Sequence, residues 1–176
     1  LNRAAAEAAR RWSAKPPAGG LKMLHQTGRA DYNGLQSQYA LQTREPGIVL
    51  EATPFIDDMA REMTKADFVL SRAGAITIGE LAALGRAAIL VPFALASDNH
   101  QEYNARSVEE RGGAIVITEK ELTPASLAAA IRSLVTDRKR VVEMGEKFGS
   151  LGSPEATRRI VNLIEKNMNI VRDELS

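Results

Sequence analysis

Phe68-Val69-Leu70-Ser71-Arg72-Ala73-Gly74-Ala75-Ile76-Thr77-Ile78-Gly79-Glu80 runs from a short apolar segment, through a turn of small residues, into a helical pattern ending near Gly85. A strand, a tight turn and a helix start form a place where backbone N–H groups can face an anion. The first turn of that helix also carries the Thr77 hydroxyl and the Glu80 carboxylate. Phosphate joined to a group bearing a diol suits this layout.

The same alternation extends in both directions. Residues 3–12 read as a helix, ended by Pro16-Pro17-Ala18-Gly19-Gly20. Leu21–His25 is a strand, and Asp31 is placed to cap a helix running to about Arg44, broken at Glu45-Pro46-Gly47. Ile48–Leu50 is the next strand, and Pro54–Met59 leads into a helix to Lys65 with Asp57 as its N-cap. Strand 67–71, helix 76–84, strand 88–92, helix 99–111, strand 114–118 and helix 124–135 follow. Apolar runs of four or five residues between helices of ten or so predict an α/β fold, a Rossmann-like parallel sheet flanked by helices. Residues 137–147 and 153–171 read as two further helices, with Pro154 at a first helical position and Ile160, Leu163 and Ile164 as packing positions.

Composition narrows the function classes. The 176 residues contain 44% hydrophobic and 26% charged residues, the balance of an ordinary globular domain. With no cysteine, disulfides, thiolate zinc sites and cysteine nucleophiles are excluded. Basic and acidic residues number 23 and 22 and are mixed along the chain, so no nucleic-acid footprint is expected. No apolar run approaches the roughly 20 residues that cross a bilayer. The start, Leu1–Glu7, is helical and lacks the apolar core of a signal peptide, and the chain reads as a fragment of a longer protein.

Open parallel sheets bind ligands beyond the carboxyl ends of their strands. The loops that matter are therefore His25–Gly28, Glu51–Asp58, Ser71–Thr77 and Pro92–Gln101. In the third loop, Gly74 lets backbone approach a ligand, and the N–H groups of Ala75, Ile76 and Thr77 are left unpaired in the first helical turn. Glu80 repels a phosphate set against it but accepts hydroxyls further along a ligand. A plain helix start with an early acidic residue balancing the dipole is the competing account, at about even odds on residues alone. The stretch is neither a Walker loop nor a GxGxxG fingerprint.

In the fourth loop, Asp98 suits an N-cap, and Asn99, His100 and Gln101 offer paired donors and acceptors of the kind sugar hydroxyls use. A solvated helix start is the plainer account of His100, and Asn104 is placed to brace the loop. Phe55 and Ile56 are placed either to hold a flat base or to plug the core. His25 reads as a loop brace. No triad, paired carboxylates or zinc-ligand cluster is present in the pattern, so neither a metal nor a cofactor is expected.

Residues 71–80, Phe55-Ile56-Asp57-Asp58-Met59 and Asp98–Ala105 together resemble the MurG family of bacterial glycosyltransferases, in consistent order over roughly residues 1–170. The resemblance implies the C-terminal half of a two-domain GT-B enzyme. Such an enzyme moves N-acetylglucosamine from UDP-N-acetylglucosamine to the C4 hydroxyl of lipid I, with inversion, forming lipid II for peptidoglycan and hence for cell shape and division. It implies that residues 1–152 are the UDP-sugar-binding domain without its first strand and Gly-rich loop, and 153–176 its C-terminal helix, reaching toward an N-terminal domain.

Carried over by position, Ile56 holds the uracil through its backbone and Ala75, Ile76 and Thr77 lie near the phosphates. Glu80 binds the ribose, and Arg72 serves the phosphate or the order of its loop. His100 and Gln101 contact the sugar hydroxyls, where the family often has two glutamines. The acceptor surface and catalytic base are implied to lie in the absent N-terminal domain, so the fragment is expected to be soluble and inactive alone. The full enzyme is implied to be peripheral on the cytoplasmic face of the bacterial inner membrane. A GT-B transferase using another UDP-sugar and a noncatalytic nucleotide-binding module are the alternatives.

Overall fold

Ala87-Ala88-Ile89-Leu90 is buried at every position, and this strand separates two apolar cores. The computed structural model describes residues 1–13, 20–42, 47–96, 99–152 and 161–162. In chain order the elements are α1 (Asn2–Ser13), β1 (Leu21–Gln26), α2 (Arg29–Gln42), β2 (Ile48–Thr53), α3 (Met59–Lys65) and β3 (Phe68–Ser71). They continue with α4 (Ala75–Leu84), β4 (Ala87–Leu90), α5 (His100–Glu110), β5 (Ala114–Val116), α6 (Pro124–Val135) and α7 (Arg138–Gly149).

Side chains alternate across a strand. On one side of β4, Ala87, Ile89 and the following Val91 join a core built with α1, α2, α6, β1 and β2. On the other, Ala88 and Leu90 pack with Leu81 of α4, Ala105 and Val108 of α5 and Phe148 of α7. Helices therefore cover both faces, as the alternating apolar pattern predicts. Ile89, Leu90 and Phe148 are fully buried, each stabilising the fold by about 1.5–3 kcal/mol. On α1, Ala5, Ala6, Ala8 and Ala9 give a small-residue face that lets α6 approach, and Trp12 fills the far end beneath the Arg132 guanidinium, 4.7 Å from the ring centroid.

Among the described residues all strand pairs are parallel, and they form two sheets: β1–β2, and β3–β4–β5. Pairing runs from Leu21↔Ile48 to Gln26↔Thr53 in the first, and from Phe68↔Ala87 to Ser71↔Leu90 and Ala88↔Ala114 to Leu90↔Val116 in the second. The single sheet suggested by the alternation is thus divided, because apolar runs specify strands without specifying their neighbours.

Three local expectations are corrected. Gly28 takes a left-handed φ of 74°, so α2 begins directly at Arg29 and Asp31 lies within its first turn rather than at its cap. There it accepts a hydrogen bond from Asn2 Nδ2 at 2.7 Å. The N-cap of α3 is Asp58, not Asp57: its Oδ1 accepts from Arg61 N–H at 2.9 Å. The strands expected at 88–92 and 114–118 end earlier, at Leu90 and Val116. The Pro16–Gly20 turn up to residue 19, the stop at 43–46, the Asp98 cap and most of the 153–171 helix lie outside the described residues, as do Ile160, Leu163 and Ile164. Within that last helix only 161–162 are described, and they are helical.

Candidate ligand site at the strand ends

The start of α4 has no side-chain cap. Gly74 occupies the N-cap with extended backbone (φ −65°, ψ 144°), and the first helical bond is Ile78 N–H to Gly74 O at 2.9 Å. The N–H groups of Ala75, Ile76 and Thr77 consequently have no acceptor among the described residues. A Cβ built on Gly74 would meet nothing within 4 Å, so the fold itself does not require glycine there. Open space over three free donors at a helix start is an anion site in form. Ile76, 80% exposed, contributes no side-chain burial to hold this turn.

Glu80 lies four residues beyond Ile76, on the same helical stripe and about 6 Å along the axis. It is exposed and has no protein partner among the described residues, and the Thr77 hydroxyl likewise has none. A carboxylate one turn beyond a cluster of N–H donors can accept hydroxyls from a ligand whose anionic part sits at the helix start.

Arg72, in the same loop, is turned away from free charge recognition. Its guanidinium donates to the carbonyls of Val91 and Pro92, both at 3.3 Å, and pairs with Glu119 Oε1 at 2.7 Å. It also lies 5.2 Å from the centroid of the Phe93 ring. Hydrogen bonding from Arg72 holds the Glu119 carboxyl below its usual range. Of the two roles implied for Arg72, this geometry belongs to loop order. Asn104 Nδ2 donates to Ala73 O at 3.4 Å, so it braces the loop after β3 rather than its own loop, for which it was expected.

His100 and Gln101 open α5, whose N-cap is Asn99 at a left-handed φ of 57°, with no side-chain cap bond. Gln101 Oε1 accepts from Phe93 N–H at 3.0 Å, tying the helix start to the loop before it. The structure thus brings Arg72, Phe93, Gln101 and Asn104 into one network beside the open start of α4. Ile56 belongs to another cluster: its N–H donates to Gln26 Oε1 at 2.9 Å, at the end of β1. Phe55 is 65% exposed and does not plug the core.

His25 is a brace. Its Nε2 lies 3.2 Å from Asn2 Oδ1, an oxygen that only accepts, so the proton sits on Nε2 and Nδ1 accepts from Tyr39 O–H at 2.7 Å. Asn2 Nδ2 in turn donates to Thr27 O at 2.8 Å. Burial lowers the His25 pKa, with Asp31 opposing, and burial raises that of Tyr39. Gln26 and Glu119 were not singled out from sequence. Their partners lie 30 and 47 positions away (56 − 26 and 119 − 72), and no local pattern links them. A surface cavity of about 320 Å³ lies elsewhere, between α7 and Gly85–Ala87 at the amino end of β4. Among the described residues no group of His, Asp and Glu could hold a metal ion.

Parallel strands with helices on both faces define a Rossmann-like α/β domain, and an uncapped helix start lies at the carboxyl end of one strand. The particular family follows from comparison: residues 1–160 match the glycosyltransferase family 28 C-terminal domain, and the chain belongs to that family. The UDP-N-acetylglucosamine--N-acetylmuramyl-(pentapeptide) pyrophosphoryl-undecaprenol N-acetylglucosamine transferase of Acetivibrio thermocellus is 40% identical over 149 residues, covering 85% of this chain and 40% of that protein. The protein of the same name from Marinobacter nauticus is 43% identical over 138 residues, covering 78% of this chain and 37% of that one.

Among solved structures, Acinetobacter baumannii MurG superposes with a TM-score of 0.82 at 31% identity, covering 94% of this chain and 46% of that one. The calicheamicin glycosyltransferase CalG4, at 23% identity and a TM-score of 0.67 over 97% of this chain and 40% of its own, shares the fold. The chain therefore matches the C-terminal domain of GT-B glycosyltransferases and spans about 40% of the length of these curated relatives.

Proposed function

We propose that this chain is the donor-binding domain of an inverting transferase that moves N-acetylglucosamine from UDP-N-acetylglucosamine to the C4 hydroxyl of lipid I, giving lipid II for peptidoglycan. The observation that carries the reading is the open start of α4, where three N–H groups face space beside an unpartnered carboxylate. In this assignment Ala75, Ile76 and Thr77 receive the diphosphate, Glu80 the ribose hydroxyls, the Ile56 backbone the uracil, and His100 and Gln101 the sugar. The names of the curated relatives and their identity to this chain support the donor and the lipid-linked acceptor.

The chemistry assigned to the site is leaving-group stabilisation. As the acceptor C4 oxygen bonds to the anomeric carbon, the bond to the diphosphate breaks and negative charge grows on UDP. Helix-start N–H groups aimed at that charge act without reorganising. The group that takes the C4 proton is assigned to a part of the protein outside this chain, since His25 is locked in its brace. Residues 1–152 and the segment 153–176 form the proposed domain. Peripheral attachment at the cytoplasmic face of the inner membrane follows from a lipid-linked acceptor. Among the described residues no helix is long and apolar enough to cross a membrane.

The test is calorimetric titration of the intact protein with UDP-N-acetylglucosamine and with the Glu80→Ala variant. The expected loss is about 2 kcal/mol, roughly thirtyfold in Kd, for a charge-assisted pair of hydroxyl contacts. Unchanged affinity in the variant removes the ribose assignment. A panel of UDP-sugars separates this reading from a transferase using another sugar, and no binding of any uridine nucleotide leaves a noncatalytic module.

A further inference from the structure

We propose that Glu119, in the loop between β5 and α6, is a positioning residue for the sugar end of the site, acting through Arg72 on the segment that leads into His100 and Gln101. The inference rests on the donor-domain reading given above and adds to it a residue and a role.

The argument is geometric. Segment 91–94 leaves β4 at the carboxyl end of the sheet, and held points accumulate along it. Val91 and Pro92 give their carbonyls to Arg72, Phe93 lies against the same guanidinium, and Ala94 N–H donates to Glu119 Oε2 at 3.4 Å. Phe93 N–H is held by Gln101 itself. Glu119 spans the arrangement, with Oε1 on Arg72 and Oε2 on the loop backbone. Loops from β3, β4 and β5 thereby become one unit, and the first turn of α5 is attached to it through Gln101.

Stability does not account for such a pair. The Arg72 and Glu119 side chains are 32% and 31% exposed, and ion pairs so open to water contribute little to folding. What the pair supplies is direction. A guanidinium can reach two carbonyls, a ring and a carboxylate at once only when its plane is fixed, and a carboxylate on one edge fixes it. Without Glu119, Arg72 would keep its two carbonyls and the ring but lose the contact that fixes the plane of its guanidinium. The loop carrying the sugar contacts would then lose its register while the nucleotide contacts on α4 stayed in place.

The experiment compares wild type with Glu119→Ala in the intact protein, titrating UDP-N-acetylglucosamine and UDP separately. The expected result is about a tenfold weaker Kd for the nucleotide sugar, with UDP changed by less than about twofold, as for coupled neighbours beyond an unperturbed site. Thermal midpoints should agree within about 3 °C. Arg72→Ala and the double variant should agree within about twofold in their loss of sugar selectivity, because the Arg72 contact, at 2.7 Å against 3.4 Å for Ala94 N–H, is the stronger of the two that Glu119 makes. Amide exchange at Phe93 and Ala94 should quicken by about tenfold in Glu119→Ala. Equal weakening of both ligands, no weakening of either, or additive losses in the double variant each overturn the proposal. A wild type that binds no uridine nucleotide overturns the donor reading and the sugar assignment with it, while the exchange rates still decide whether the clamp exists.

Discussion

The starts of α4 and α6 make an instructive pair. Both helices follow the carboxyl end of a strand in the same three-stranded sheet, and both face the same demand for partners in their first turn. At α6 the demand is met within the chain. Thr123 Oγ1 accepts from Ser126 N–H at 3.0 Å, Ser126 Oγ accepts from Thr123 N–H at 2.9 Å, and Pro124 removes a donor outright. At α4 nothing among the described residues answers. The contrast teaches that the vacant start is not a weakness of this fold in general, since α3 and α7 are also closed by Asp58 and Asp137. Among the described caps, only the starts of α4 and α5 lack a side-chain bond, and both border the candidate site.

The strongest way to break the contrast is to give α4 the cap it lacks. Gly74→Asp adds a carboxylate at an N-cap whose backbone is already extended, and a Cβ there meets no obstacle. The helix should gain about 0.5–1 kcal/mol in denaturant unfolding. Affinity for UDP-N-acetylglucosamine should fall by about 100-fold, near 2.7 kcal/mol, because the new anion takes the donors and repels the ligand. Retained affinity would show that the diphosphate is held elsewhere. The reverse change, Thr123→Ala, opens α6. It should cost about 1 kcal/mol of stability, read from urea midpoints, with donor affinity unchanged; a loss of affinity would mean that the two starts are not independent.

A smaller effect concerns a third helix start. Asn2, opening α1, depends on neutral His25, whose ring also meets Tyr39 and lies near Asp31. The folded pKa of His25 is lowered, so the unfolded chain binds the proton more readily. Stability from this source is present at neutral pH and is lost as pH falls through the unfolded value of 6.5 toward the lower folded one. The slope of the thermal midpoint over that interval should flatten in His25→Gln. An unchanged slope would assign the acid sensitivity to other groups.

Much of this arrangement is legible along the chain, and the reason is locality. Strand and helix periods are set by neighbours a few residues apart, so the alternation, the buried run of β4 and the small-residue turn before α4 are all visible in sequence. Cap identity is less so: Asp57 and Asp58 offer the same carboxylate one residue apart, and only the path of the chain selects Asp58. Contacts across the fold leave no local trace. Neither Glu119 beside Arg72 nor Gln26 beside Ile56 follows from spacing, and the division into two sheets depends on strand order, which apolar runs do not encode.

Gln101 shows what such a distant contact does to the vocabulary of a binding residue. Its amide carries one oxygen and one NH2 group, and the oxygen is engaged by the Phe93 backbone. One of that oxygen's two lone pairs is thus already spoken for by the protein, and toward a visitor the side chain offers two N–H donors against a single remaining acceptor position. The backbone contact also fixes which end of the amide faces which way, so the side chain discriminates by the direction of its dipole before shape is consulted.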